Sequence, residues 1–343
     1  MGKKVSIIVP MFNAKNTIKK TLCSIVSQSY YNIEIIVVDD GSTDGSECIV
    51  SQYILKDNRI MLYRIENSGV ASARNYGMRR ATGEYIFFVD SDDTLDDNTI
   101  EQLVINNTRF GTDLSASEIV DIDGTSTSRN EYMGHAFVAY DGKKIGENLY
   151  YIRMECALGK LFKNSIILNN QIRFPDGFQL CEDFIFVNKY VQCSTSISKS
   201  TDAHYIVNNI NEESLSKRYM ENIDYIVKTE IDIVKESFRI YPSYKDVYYQ
   251  TNMSIDFQPS IKYVNNLFLL GAPKTDKRRI IYQYLIVEDN IVSFMKEIPA
   301  NQMPKRKMDW LYYCAFKTKN ISIILMLFWV KEKVKRFHNA KFH

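Results

Sequence analysis

The chain alternates between short, predominantly apolar runs and stretches with apolar residues three or four positions apart. Val5 to Val9 is one such run, closed by Pro10, and Ile33 to Val38 is a second, closed by Asp39, Asp40 and Gly41. Runs this short and this apolar read as strands buried on both faces, as in a parallel sheet. Between them, Asn16 to Ser27 places Ile18, Leu22, Ile25 and Val26 at helical spacing. Asp44 to Leu55 repeats that spacing, Ile60 to Ile65 reads as a strand, Ala71 to Ala81 as a helix ended near Gly83, and Thr99 to Asn107 as the start of another. Alternation of this kind predicts an α/β fold with a doubly wound, mostly parallel sheet over residues 1 to about 120.

Beyond that point the pattern changes. Asp121 to Gly146 is polar and Gly-rich, which predicts a loop or irregular hairpin, and Asp183 to Val191 reads as a short helix. From Ser214 the spacing is helical, with Ile223, Ile226, Val227, Ile231 and Val234 on one stripe and breaks at Pro242, Pro259, Pro273 and Pro299. The expected organisation is a catalytic domain over 1–215, an appended helical region over 216–300 and a basic amphipathic tail over 301–343, with no internal repeat.

Charge sharpens the last boundary. The net charge of +2 conceals ten Lys/Arg against two Asp/Glu in residues 299–343, which leaves −6 for everything before them. With 45% hydrophobic and 24% charged residues the chain is globular in composition. Its six cysteines lack CxxC or metal-site spacing, which predicts reduced, partly buried thiols in a cytosolic protein. Lys3 and Lys4 precede only VSIIVP, too short for a secretory signal, so a chain that is not exported is expected.

The sharpest chemical signal is GEYIFFVDSDD, residues 83–93, where an apolar strand ends in Asp90, Asp92 and Asp93. Ligands of open α/β sheets bind outside the carboxyl ends of the strands. Carboxylates crowded there repel one another unless a cation intervenes, and hard oxygen ligands suit Mg²⁺ or Mn²⁺. Asp92 is the leading metal candidate, Asp90 is placed for a ribose hydroxyl or a metal-bound water, and Asp93 assists; the alternative is an ordinary acidic turn. VVDDGSTDGS, residues 37–46, puts Asp40 at a neighbouring strand end, where it either accepts from a base N–H beside Pro10 and Phe12 or forms part of a helix-capping turn. Asn67, Ser68 and Gly69 lead into the helix carrying Arg74, a group suited to a phosphate or a carboxylate, or else a surface Arg. Glu182 and Asp183 open EDFIFVNKY; they either complement a helix dipole or supply the general base that a metal–phosphate site needs. His204 either completes a metal sphere or is structural.

Taken together, SIIVPMFNA, LCSIVSQSYYNIEIIVVDDGSTD, NSGVASARNYGMRRATGEYIFFVDSDD, KLFK and FQLCEDFIF resemble the family 2 glycosyltransferases of GT-A fold, over roughly residues 4 to 216. The resemblance implies inverting transfer of a sugar from a nucleotide-sugar, commonly a UDP-sugar, to an acceptor hydroxyl. It implies Asp40 on the base, Asp90 and Asp92 on ribose and metal with Ser91 between them, and Asp183 as catalytic base. Lys160 and Glu182 are expected on the sugar and acceptor side. Phe12 departs from the Tyr frequent in the family, keeping stacking but losing a phenol hydrogen bond.

The tail adds a partner. ISIILMLFWV, residues 321–330, contains Trp329 and is flanked by lysines and arginine, with Trp310 before it and Phe337 after it. Ten helical residues span about 15 Å, half a hydrocarbon core, so an interfacial helix on an anionic leaflet is expected rather than a span, with a core helix or a homo-oligomer contact as the alternative. That puts the enzyme at the inner face of the plasma membrane beside a polyprenyl-linked or other glycan acceptor, as in capsule or exopolysaccharide synthesis. Nucleic acid is not an expected partner, since base-stacking aromatics and a basic sheet face are not evident. Rival readings are a sugar-nucleotide nucleotidyltransferase, which should show a Gly-rich, Arg-containing loop where this chain has PMFNAKN, and an inactive sugar-nucleotide or glycan-binding module, which the intact DSDD and ED groups disfavour.

Overall fold

In a computed structural model the described residues are 2–121, 134–178, 181–208, 223–251, 323 and 326–327. The apolar runs form β1 (Val5–Met11), β2 (Ile33–Asp39) and β4 (Tyr85–Phe88), every residue of which is buried. They alternate with α1 (Ile18–Val26), α2 (Ser46–Ile54), β3 (Ile60–Arg64) and α3 (Val70–Arg80). The order β3-β2-β1-β4 is parallel throughout, as the pattern predicts, with Pro10 level with Val38 and Ile8 level with Phe88. Their carboxyl ends therefore open on one rim.

The second half of the sheet is mixed. After β5 (Thr94–Leu95) and α4 (Thr99–Phe110) come β6 (Leu114–Asp121), β7 (Phe137–Ala139), α5 (Gly142–Asn148), β8 (Lys160–Lys163), α6 (Asn164–Asn169), α7 (Glu182–Gln192) and β9 (Ile197–Val207). The sheet continues β4-β8-β6-β9-β5, with β7 also on β9. β8 is antiparallel to β4 and β6, whereas β9 is parallel to β6. The polar 121–146 segment thus contributes the end of β6, β7 and α5; its residues 122–133 lie outside the described set.

One face of β1, β2 and β4 packs Val5, Ile7, Val9, Ile35, Val37 and Phe87 against α1 and α4. On the other face Phe88 meets Phe162, Phe174 and Phe186 edge-on, and Phe174 stacks flat on Phe186 with centroids 4.1 Å apart. That aromatic layer lies under the residues that carry the chemistry. Each such ring buries a large apolar area and adds a geometric preference, so the layer is stiff.

The chain divides into two compact units, Met1–Leu215 with Ile233–Tyr244, and Ser216–Asp232 with Lys245–His343. α8 (Ile223–Ile240) and α9 (Pro242–Thr251) follow the catalytic sheet. The rest of the expected helical region, and the basic tail with its 321–330 segment apart from Ile323, Met326 and Leu327, lies outside the described residues. Among the described residues no helix is long and apolar enough to cross a membrane.

Gly83 sets the level at which the acidic strand enters the sheet. Its N–H donates to Ser6 Oγ (2.9 Å), its carbonyl accepts from Asn164 (3.0 Å), and a Cβ there would stand 2.7 Å from Ser6 N and 2.9 Å from Lys4 O. Backbone cannot yield as a side-chain tip can. Gly83→Ala is therefore expected to cost about 1–3 kcal/mol, read by chemical denaturation; a cost under about 0.5 kcal/mol would contradict the close approach.

Candidate active site

Three loops meet at the rim where β1, β2 and β4 end. The β2 turn is cross-tied to the β1 end: Asn13 N–H donates to Ser42 Oγ (2.9 Å), and Thr43 N–H to Asn13 Oδ1 (2.9 Å). Ser42 is thus spent on the β1 loop, and Asp44, which accepts from Ser46 N–H (3.0 Å), serves the start of α2. Asp40 is buried, and its two oxygens accept from Ser68 N–H and Gly69 N–H (2.8 Å each). Gly69 holds φ +88°, a conformation that favours glycine, as the chain turns into α3. Phe12 stands 48% exposed at the same rim and Pro10 is buried beneath it.

α3 presents Arg74 to the centre. This side chain is 3% exposed and its guanidinium lies over the Phe174 ring at 5.3 Å. Nη1 donates to Asp183 Oδ1 (2.6 Å) and Glu182 Oε1 (3.3 Å), and Nη2 to Asp90 Oδ1 (2.9 Å). One cation therefore joins the acid at the end of β4 to the acid pair at the start of α7, which lies 108 and 109 positions beyond Arg74 itself. Asn75 fixes the platform by exchanging two hydrogen bonds with the Phe174 backbone (2.9 Å each). Asp183 is held a second time, because its Oδ2 accepts from Ala157 N–H (3.0 Å).

The electrostatics follow from one guanidinium serving three carboxylates in a dry place. Burial opposes the Arg74 charge, but Asp183, Asp90 and Glu182 outweigh it and hold its pKa above the ordinary Arg value. Burial, then the Asp183 charge, pushes Glu182 up to about 7. Asp183 is also raised, by burial first, with Arg74 pulling the other way.

Several expected site residues sit elsewhere than the sequence suggested. Asp93 is 4% exposed, and its oxygens accept from Tyr205 Oη (2.8 Å) and Asn208 N–H (2.9 Å); burial and Asp90 push its carboxyl up to about 7. It fastens the acidic turn to β9 rather than facing a ligand. His204 alternates with Tyr205 along β9, so it points to the opposite face, where Nδ1 lies 3.1 Å from Asp96. The expected metal set of Asp90, Asp92, Asp93 and His204 is therefore not assembled, and among the described residues no group of three or more His, Cys, Asp or Glu is poised to hold a metal. What remains on the rim is Asp90, Ser91 and Asp92, all half-buried. Two carboxylates on one tight turn fit Mg²⁺ or Mn²⁺ when phosphate oxygens and water complete the sphere. Lys160, expected on the acceptor side, is fully buried in β8 and donates to backbone carbonyls. Cys23 and Cys48, expected to be partly buried, are exposed. Sequence reasoning missed Tyr205, Asn208 and Ala157, whose roles depend on contacts far apart in sequence: Tyr205 and Asn208 reach Asp93 from β9 and just beyond it, and Ala157 reaches Asp183 from the turn before β8.

With this geometry in hand, the comparisons with known proteins agree. Residues 6–166 match the sequence model of glycosyl transferase family 2. Over 207 residues the chain is 33% identical to glycosyltransferase GlyA of Streptococcus pneumoniae serotype 4, covering 54% of this chain and 30% of that protein. It is 31% identical over 246 residues to the poly(ribitol-phosphate) beta-glucosyltransferase of Bacillus spizizenii, covering 68% of this chain and 37% of that one. The chain thus spans about a third of the length of these curated relatives. Among solved structures, S. aureus TarS 1-349 in complex with UDP-GlcNAc superposes with a TM-score of 0.70 at 21% identity, covering 94% of this chain and 90% of that one. At that identity the likeness is one of fold, the mostly parallel α/β sheet of GT-A type.

The charge balance makes a stability prediction for the metal-free protein. Glu182 carries a folded pKa of about 7, above the ordinary Glu value. Its favourable contribution is complete at low pH and is lost as pH rises through about 7. Arg74→Met removes the cation hydrogen-bonded to the three acids, so its cost should be about 3 kcal/mol or more at pH 8 and clearly smaller at pH 5.5. Equal costs at the two pH values, measured by urea unfolding in EDTA, would show that the acids do not depend on Arg74.

Proposed function

Through residues 6–166 this chain belongs to glycosyl transferase family 2, and from that premise we propose that it moves a sugar from a UDP-sugar to a hydroxyl of a glycan acceptor with inversion. The single observation that carries the reading is Arg74, which brings Asp90 of the acidic turn and Asp183 of the acid pair onto one guanidinium. A donor held at one carboxylate would thereby present its anomeric carbon near the other.

In this mechanism Phe12 and Pro10 flank the uracil ring and Asp40 accepts its N–H through a lone pair left over from the Ser68 and Gly69 bonds. Asp90 takes a ribose hydroxyl. Asp90 and Asp92 would hold a divalent cation, which would supply positive charge to neutralise that growing on the departing diphosphate. Arg74 supports the same phosphates or keeps the acids apart and oriented. Asp183 accepts the proton of the acceptor hydroxyl as its oxygen attacks the anomeric carbon from the face opposite the leaving diphosphate, and the one displacement inverts the centre. A raised pKa brings Asp183 nearer to operating pH, where a general base is most effective. Glu182, its neighbour in the first turn of α7, is assigned to the sugar or acceptor side.

The names of the relatives suggest an acceptor in cell-wall or other surface polysaccharide, and a lipid-linked glycan at the inner membrane face fits the basic tail. Flotation of the full chain and of a version ending at Met308 on anionic liposomes is expected to separate them, the full chain floating and the short one not. Equal flotation would remove the membrane contact from the reading.

The reaction itself is tested by nucleotide release from a panel of UDP-sugars with Mn²⁺ and an oligosaccharide acceptor. Turnover with one donor is expected, with losses of at least 100-fold in Asp92→Ala and Asp183→Asn. No release from any donor, together with unaltered UDP binding in Asp183→Asn, would instead identify a sugar-nucleotide-binding module.

A further inference from the structure

Lys160 presents a problem of cost. Its side chain is 0% exposed, and among the described residues no carboxylate lies within ion-pair distance of it. Burial lowers its pKa and the Arg153 charge adds to that, while Cys156, Glu155 and Asp183 work the other way. A buried ammonium without a bonded counter-charge is expensive, and a Met or Leu would fill the same space. Its three contacts all fall on one short turn: Nζ donates to Cys156 O (2.8 Å) and Leu158 O (3.2 Å) and touches Cys156 Sγ (3.8 Å).

Cys156 O belongs to the peptide unit whose N–H is that of Ala157, and that N–H donates to Asp183 Oδ2 (3.0 Å). The described chain contains no cis peptide, so this carbonyl and this N–H point in opposite directions in one rigid plane. Fixing the oxygen therefore fixes the direction of the N–H. The ammonium also polarises the peptide, strengthening the bond at its far end. The turn is anchored independently on its other side, where Ser117 donates to Gly159 O from N–H (2.8 Å) and Oγ (3.0 Å). Asp183 is thus held at Oδ1 by Arg74 and at Oδ2 by Ala157, which removes the rotation of its carboxylate.

We propose that Lys160 is a positioning residue that acts on Asp183 through the Cys156–Ala157 peptide, fixing the plane of the carboxylate that takes the acceptor proton. This rests on the assignment of Asp183 as the base. The groups that face Asp183 are Arg74 from α3, Asp90 beyond β4, Glu182 beside it, the Ala157 N–H and, through the peptide, Lys160. Lys160 touches neither donor nor acceptor, so its removal should alter the chemical step and spare donor binding.

The test is Lys160→Met in the full chain, assayed with the donor found in the panel above. The expected result is a folded protein with kcat lowered about 10- to 100-fold, a donor KM within twofold of the parent, and a displaced Ala157 amide resonance. Unchanged kcat in the folded variant would overturn the proposal, as would a donor KM that rises in step with the fall in kcat. If the variant fails to fold, the parent protein decides. There the Ala157 amide should be protected from hydrogen exchange and should shift on Asp183→Asn; an unprotected or unresponsive amide would overturn the proposal. The two assignments fail separately: an active Asp183→Asn removes the base, whereas an inactive Asp183→Asn beside a fully active Lys160→Met removes only the positioning role.

Discussion

The site depends on a buried guanidinium with more acid around it than it can neutralise. Arg74 sits on an aromatic ring, out of water, and divides its two terminal nitrogens among Asp90, Glu182 and Asp183. In such surroundings an unpaired charge costs several kcal/mol, so the three carboxylates and the Arg must be placed together or not at all. That requirement ties α3, the end of β4 and the start of α7 to one another. Much of the remaining architecture can be read as holding these three in register: the Phe88–Phe174–Phe186 layer beneath, Asn75 clamping Phe174, and Gly83 setting the depth of β4.

The same imbalance states what the site lacks. One positive charge against three carboxylates leaves an excess of negative charge, and the raised Glu182 is the protein's own partial remedy, since a proton there removes one charge. A diphosphate entering alone would worsen the excess. A donor accompanied by a divalent cation would not, because the metal brings the charge that the phosphates and the Asp90–Asp92 turn both need. On the reading proposed above, such a cation would arrive with its substrate, and phosphate oxygens and water would complete its sphere beyond the two carboxylates of this turn.

How much of this could be read from the sequence divides along the range of the interactions. β1, β2 and β4 announce themselves because a strand buried on both faces is apolar at nearly every position, Ser6 and Glu34 excepted, and the acids that end β2 and β4 are adjacent to them in the chain. The helices between them show their spacing for the same local reason. The burial of Lys160 was not legible, and the choice between the two readings of His204 was not decidable, because the deciding fact is non-local. A lysine normally signals surface, and only the pairing of β8 between β4 and β6 shows that this one is interior. His204 and Tyr205 differ by one position, and with a side-chain period of two, one of them faces Asp93 and the other Asp96. Asp93 looks like its neighbours in DSDD, yet the turn points it inward onto Tyr205 and Asn208.

Asp183 shows why composition identifies such a residue without explaining it. The ED pair at a helix start was legible, and so was its suitability as a base. What makes one carboxylate of the two the better base is orientation, and orientation comes from partners far away in sequence. Asp183 is gripped at both oxygens, by a side chain on α3 and by a backbone amide on the turn before β8, whereas Glu182 is bonded to Arg74 through one oxygen at the longer distance of 3.3 Å. A general base gains from being fixed, because the reorganisation it would otherwise need is already complete before the proton moves. On the proposed reading the two acids differ in the number of fixed contacts each makes, and those contacts come from the parts of the fold that the sequence pattern leaves unspecified.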